Sequence, residues 1–198
     1  AFEPVVRTFT LGEVQLTALA FSSDGKRLAV GDAGLQALVL DVASGEVLLK
    51  VAHPSPVAEV ALDATGVLLA VAGVTDVGAV LPVPGGTRRH AFTGRTASFS
   101  ADGKTLLTAS TTGAVTVLDA ATGKVRKAWT TAPDRPLAAL SADGRTVATW
   151  KPGGVDVRLW TSAGGALKTL KGPVAEMDRP RAHVSGVALG ADGRRVLV

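Results

Sequence analysis

Cysteine, tyrosine, isoleucine and asparagine are absent from this 198-residue sequence, and methionine occurs once. Without cysteine there is no disulfide, no thiolate nucleophile and no thiolate metal ligand. The compartment stays open, with the cytoplasm favoured. Aromatic residues make up 4% of the chain, too few for the interleaved stacking platform of a single-strand nucleic-acid groove. The charge is only mildly basic, +4 with a pI near 9.8. The nearest basic cluster is Arg179, Arg181, Arg194 and Arg195, and it is interrupted by Glu176, Asp178 and Asp192. That mixture reads as a solvated face, so no nucleic-acid partner is expected.

Long apolar runs are also missing. The longest spans residues 67–74, eight positions, against the roughly 20 that a membrane helix needs, so no membrane span is expected. The three histidines, His53, His90 and His183, form no closely spaced pair of the metal-binding kind. There is no Gly-x-Ser-x-Gly elbow and no Walker-type phosphate loop. No catalytic residue, metal or cofactor is therefore expected. The chain opens Ala-Phe-Glu-Pro, with neither an initiator Met nor a signal-type pattern, which reads as a trimmed start.

What is present is a repeat. Residues 99–123 set its pattern. Ala101-Asp102-Gly103 is a turn signal, because Asp bonds its local backbone and Gly supplies positive φ. Leu106-Leu107-Thr108-Ala109 reads as a buried strand, Thr112-Gly113 as a turn, and Val115-Thr116-Val117-Leu118 as a pleated strand. Ala121-Thr122-Gly123 turns the chain again. Turns this close leave no room for a helix of ordinary length. Copies open at Ser23-Asp24-Gly25, Ala64-Thr65-Gly66, Ala142-Asp143-Gly144 and Ala191-Asp192-Gly193. The marker glycines Gly25, Gly66, Gly103, Gly144 and Gly193 are 41, 37, 41 and 49 residues apart, close to the roughly 40–45-residue period of a four-stranded propeller blade.

These units resemble WD40 repeats of the kind found in bacterial β-propeller proteins. His53 stands in the slot of the family's Gly-His, Trp160 in its Trp slot, and Asp41 and Asp119 in the Asp slot that follows. Leu40, Leu81 and Leu118 fill the Trp slot elsewhere, so no unit carries the family's full Asp-His-Ser/Thr-Trp network. Stability should then rest on apolar packing. The resemblance implies an all-β fold: a β-propeller of four-stranded antiparallel blades, about four full blades plus a partial fifth, as part of a larger ring. The expected repeats are 14–51, 57–92, 96–129, 137–170 and a partial 184–198. Residues 1–10 are expected to supply an outer strand of a preceding or closing blade. The third strand of the second repeat should end at Leu81, before Pro82, because proline cannot donate to a ladder. The partial fifth blade is a strand short, so either the chain is a fragment of a longer propeller or another segment supplies the strand. The fragment reading is preferred.

Two features stand outside the repeat. Residues 171–183 hold two prolines and mixed charge, and the longer final spacing points to an insertion of about eight residues there, a length at which loops are often functional. Trp150-Lys151-Pro152-Gly153-Gly154 replaces a small-residue turn. The repeat-spaced Asp24, Asp102, Asp143 and Asp192 read as turn formers rather than acids of a site. Trp150 and Trp160 read as core, Trp129 as partly exposed, His53 as loop support, His90 as exposed, and Gly31 to Gly34 as turn glycines.

A rigid ring with variable loops suits recognition of a protein partner. The residues expected to carry it are Glu176, Met177, Asp178, Arg179, Arg181, His183 and Lys151, with Arg88 and Arg89 weaker candidates. The alternatives are a propeller enzyme with a central-channel site and a purely structural part of a larger protein. Among the inner-strand residues only Glu59 is ionisable, which disfavours the enzyme. Further blades from the same or another chain are the other partners the repeat count allows.

Overall fold

A computed structural model describes residues 8–11, 13–131, 136–171 and 187–197. Among these residues there is no helix, hence none long and apolar enough to cross a membrane. Four four-stranded antiparallel sheets follow one another along the chain. The first holds β1 (Leu16–Phe21), β2 (Arg27–Asp32), β3 (Gln36–Asp41) and β4 (Val47–Ala52). The second holds β5 (Val57–Leu62), β6 (Leu68–Gly73), β7 (Val77–Pro82) and β8 (His90–Thr93). The third holds β9 (Thr96–Phe99), β10 (Thr105–Ala109), β11 (Ala114–Asp119) and β12 (Val125–Thr130). The fourth holds β13 (Leu137–Leu140), β14 (Thr146–Trp150), β15 (Asp156–Thr161) and β16 (Ala166–Lys171). A fifth, two-stranded sheet pairs β17 (Ala188–Leu189) with β18 (Val196–Leu197). Within each sheet every strand pairs with its sequence neighbour.

The first strand of each sheet lies against the first strand of the next, β1 on β5, β5 on β9, β9 on β13 and β13 on β17. The sheets are therefore blades arranged about one axis. Because side chains alternate across a strand, each blade buries one row against its predecessor and the other against its successor. Ala29, Val39 and Leu49 of blade one pack with Val60, Leu62, Leu69 and Val71 of blade two. Blade two's opposite row, Ala70, Val80 and Phe92, meets Ala97, Leu106 and Leu118 of blade three. Leu107, Val115 and Val117 then meet Ala138, Leu140 and Val147 of blade four, and Ala148, Trp150 and Val157 face Val187 and Leu189 of the fifth sheet. The core is a series of flat apolar layers between sheets. The slot filled by Leu62, Phe99, Leu140 and Leu189 belongs in blade one to Phe21, which is 62% exposed where Leu62 is 8% exposed.

The Ser-x-Asp-Gly turns recur in detail. Ser22, Ser100 and Ser141 donate to Asp24, Asp102 and Asp143 at 2.6, 2.6 and 2.5 Å. Those carboxylates also accept the backbone N–H of Lys26, Lys104 and Arg145. Both bonds favour the ionised form, the serine first, and hold all three aspartates below the ordinary carboxylate range. The marker glycines follow with φ between +67° and +71°, the left-handed region where a Cβ is disfavoured. Main-chain bonds join successive turns: Ser23 N–H to Ala64 C=O, Ala101 to Ala142 and Asp143 to Ala191.

The outer strand expected over residues 1–10 falls largely outside the described residues. Of the part that is described, Phe9 packs with Leu11 on Leu28, Val30 and Leu40, on the face of blade one turned away from blade two. Three other expectations need correction. β7 runs to Pro82, one residue beyond Leu81, because β8 stops pairing at Val80↔His90 and no ladder bond awaits the missing N–H. Gly31 is not in a turn. It lies in β2, where an added Cβ would collide with Val57 of blade two. His90 is partly buried rather than exposed, and its Nε2–H donates to Ala120 C=O of blade three at 2.9 Å.

Candidate functional site

Because strands alternate in direction, the connections from a fourth strand to the next first strand emerge at the same end as the turns between second and third strands. The Ser-x-Asp-Gly turns occupy the opposite end. The first end is where the non-repeating residues collect. Its framework is polar but well bonded. His53, 7% exposed, leaves blade one and sets its Nε2–H on Val77 C=O of blade two at 3.1 Å, with Nδ1 beside the backbone of Ser55. Asp76, at φ +63°, accepts the backbone N–H of Thr111 at 2.9 Å and the Thr111 hydroxyl as well, tying the turns of blades two and three together. Asp tolerates the left-handed region because its short side chain bonds locally. The support His53 gives to the loop between blades was expected from its repeat slot; the tie between Asp76 and Thr111 was not, and its only signal was their position at equivalent ends of successive repeats.

Two recesses open among these elements. The first, about 220 Å³, lies between the end of β12 in blade three and the β14–β15 turn of blade four. Thr131, Pro136, Trp150, Lys151, Asp156 and Arg158 line it. Lys151 is exposed and stands where the tight Pro152-Gly153 turn (Gly153 φ +75°) lifts it off the sheet end. Of the foremost sequence-expected partner residues, Lys151 alone is described. Glu176, Met177, Asp178, Arg179, Arg181 and His183 lie outside the described residues. Arg88 and Arg89 are exposed and belong to the opposite end, before β8. They do not meet Lys151.

The second recess, about 310 Å³, lies on the axis. Its walls are inner-strand residues of four blades: Thr17 and Leu19 of β1, Ala58 and Glu59 of β5, Thr96 of β9, and Leu137 and Ala138 of β13. Trp150 completes it and so forms a wall of both recesses. The reading of Trp150 as core holds for its burial, 8% exposed, but it also divides the two hollows. Thr96 Oγ1 and Trp150 Nε1 are sealed from solvent without a partner. Elsewhere the tryptophans serve packing: Trp129 and Trp160 stack at 6.1 Å with a 44° tilt, and Trp160 Nε1–H donates to Thr149 Oγ1 at 2.9 Å.

Glu59 is the one ionisable side chain in the axial recess among the described residues. An innermost strand is a sheet edge whose axial N–H groups have no ladder partner. Glu59 Oε2 accepts one of these, Ala97 N–H of β9, at 3.2 Å. Burial raises its carboxyl from 4.5 to about 7, and the Ala97 bond offsets only part of that. Catalysis by general acid and base would need a second group placed against it, and the recess walls bring none. No group of three or more His, Asp or Glu that could hold a metal occurs among the described residues.

No protein-family model and no curated protein sequence matches the chain. In structure it is similar to the β-propeller domain of Myceliophteria thermophila Cps50 (Swd1), with a TM-score of 0.66 and 17% identity, over 79% of this chain and 58% of that one. The chain thus spans less than two thirds of that neighbour's length. At this identity the likeness shows the fold: these blades are those of a β-propeller.

Proposed function

We infer that the chain is a protein-recognition scaffold of the WD40-repeat, bacterial type, and that it binds its partner through the end of the propeller that carries the two recesses. The observation that carries this reading is the hollow formed by Trp150, Lys151, Asp156 and Arg158. An aromatic body, two cations and one anion surround it, held at strand ends of a rigid sheet. Concave sites with a few placed polar groups on an ordered scaffold are where ligands bind. Glu176, Met177, Asp178, Arg179, Arg181 and His183 belong to the same proposal on their sequence alone, as the mixed-charge stretch outside the repeat. Peptides selected from a displayed library on the immobilised chain test it. Lys151→Glu with Arg158→Glu should weaken the selected peptides at least tenfold with melting unchanged. Affinity untouched by that double reversal, in a folded variant, contradicts the inference.

A second reading, that the chain is a structural part of a larger ring, is favoured by one observation. Leu19 and Phe21 are 63% and 62% exposed, yet the equivalent residues of later blades, among them Val60, Leu62, Ala138 and Leu140, are buried against the preceding blade. A further blade, from the same or another chain, would cover them.

A further inference from the structure

We propose that the axial recess is a subsite for a single organic cation, the ammonium or guanidinium end of a lysine- or arginine-like chain, with the Glu59 carboxylate as its counter-ion and the Trp150 indole as a wall. The recess lacks a cation of its own. Its lining holds a carboxylate and no Lys, Arg or His, and the ion pair formed among the described residues joins Arg126 to Asp119 at the other end of blade three. A carboxylate partly withdrawn from water with no cation beside it is costly. One oxygen is occupied by Ala97 N–H; that bond leaves the second oxygen for a ligand. The remaining walls, Thr17, Ala58, Leu137 and Ala138, are apolar or hydroxylic and suit an aliphatic stem. An indole lining the same recess adds a surface to which cations are attracted. The volume, about 310 Å³, is at the small end of ligand pockets, about 300–1,000 Å³; it admits one side chain rather than a folded element.

The surroundings leave Glu59 as the group that titrates in this recess. The strands β1, β9, β10 and β13, and β6 of its own sheet, carry no titratable side chain. β2 carries Arg27 and Asp32 at its ends. Arg27 Nη1 donates to Gly66 C=O and Val83 C=O, and Asp32 Oδ1 accepts Gln36 N–H. β3 contributes Asp41, which is bonded to Ser44 at the opposite end of the blade. With its carboxyl half-ionised near pH 7, cation affinity should rise about tenfold between pH 6 and pH 8.

For its source the cation depends on the recognition reading above, and the test separates the two. The full chain is titrated at pH 8 with capped Gly-X-Gly peptides, where X is lysine, arginine, norleucine or citrulline, and with butylammonium and butylguanidinium. Shifts of the Ala97 amide and the Trp150 indole N–H are followed by NMR. The lysine or arginine peptide should bind at least tenfold tighter than its neutral isostere. Glu59→Gln keeps an acceptor for Ala97 N–H and should erase that preference. Glu59→Asp, which retracts the carboxylate, should reduce it. Cationic peptides that bind at least tenfold tighter than the free amines support a protein source. Equal binding of both keeps the subsite and removes the recess from the protein-recognition reading. Neutral and cationic peptides binding alike, or a preference that survives Glu59→Gln, overturns the proposal.

Discussion

Thr65 donates its hydroxyl to Asp63 across 3.3 Å, running backward along the chain the bond that Ser100 makes to Asp102 in the next blade. The acid and the hydroxyl have exchanged places. Asp63 stands in the serine slot and accepts Leu68 N–H at 2.9 Å, just as Ser100 Oγ accepts Thr105 N–H at 3.0 Å. The turn needs one hydroxyl donor, one acid and one acceptor for the returning strand, in either order.

Restoring the usual order should therefore be tolerated better than half-restoring it. Asp63→Ser alone and Thr65→Asp alone should each cost about 1–2 kcal/mol, since the first leaves two hydroxyls with no acid to accept from them and the second two acids with no hydroxyl donor. The double variant should recover most of that loss, a coupling of about 1 kcal/mol in a double-mutant cycle of denaturant melts. Additive losses would show that the two side chains act independently.

The interblade layers make a contrast between equivalent slots. Leu62→Ala removes a side chain that is 8% exposed between blades one and two and should cost about 2–5 kcal/mol. Phe21→Ala removes the larger side chain from the same repeat slot, but at 62% exposure it should cost under about 1 kcal/mol. Urea melts of the two variants decide the matter. A Phe21 variant as damaged as the Leu62 variant would mean that blade one's outer face is covered in solution.

Glu59 gives the fold a pH dependence of unusual sign. Its carboxyl rises from 4.5 to about 7 on folding, so between those values the folded state holds more protons than the unfolded chain. Stability is greatest below about pH 4.5 on this group's account, falls as pH rises through about 7, and is flat above; the loss is at most about 3 kcal/mol. Glu59→Gln should raise stability at pH 8 and flatten the fall between pH 5 and 7. Thermal melts across that range measure it, and a wild-type melting temperature that climbs from pH 5 to 8 contradicts it.

Much of this architecture was legible in the residues because the repeat announces itself. Gly25, Gly66, Gly103, Gly144 and Gly193 mark equivalent turns by a backbone requirement that few other residues meet. Alternation around Val115 to Leu118 set which row faces inward. The lack of the Trp-based network at Leu40, Leu81 and Leu118 pointed to apolar layers, and the layers carry the interblade contacts. What was not legible lies between repeats. His90 on Ala120, Asp76 on Thr111 and Arg27 on Gly66 each join residues at least 30 positions apart, and nothing local distinguishes them from exposed polar side chains. The axial recess was missed for the same reason. Glu59 stood out as the one inner-strand acid, but its setting depends on four blades converging, and Trp150 takes part only because its register opposite Leu137 brings it to the same end.

In the function proposed above, a partner binds at the end of the propeller where Trp150 separates the axial hollow from the Lys151 turn. Amide hydrogen exchange of the full chain, with and without a display-selected peptide, tests this most directly. Slowed exchange should appear in β9 near Ala97, at the end of β14 and through the turn at residues 151–156, with the Asp24, Asp102 and Asp143 turns unchanged. Slowing confined to those Asp-Gly turns at the opposite end would contradict it.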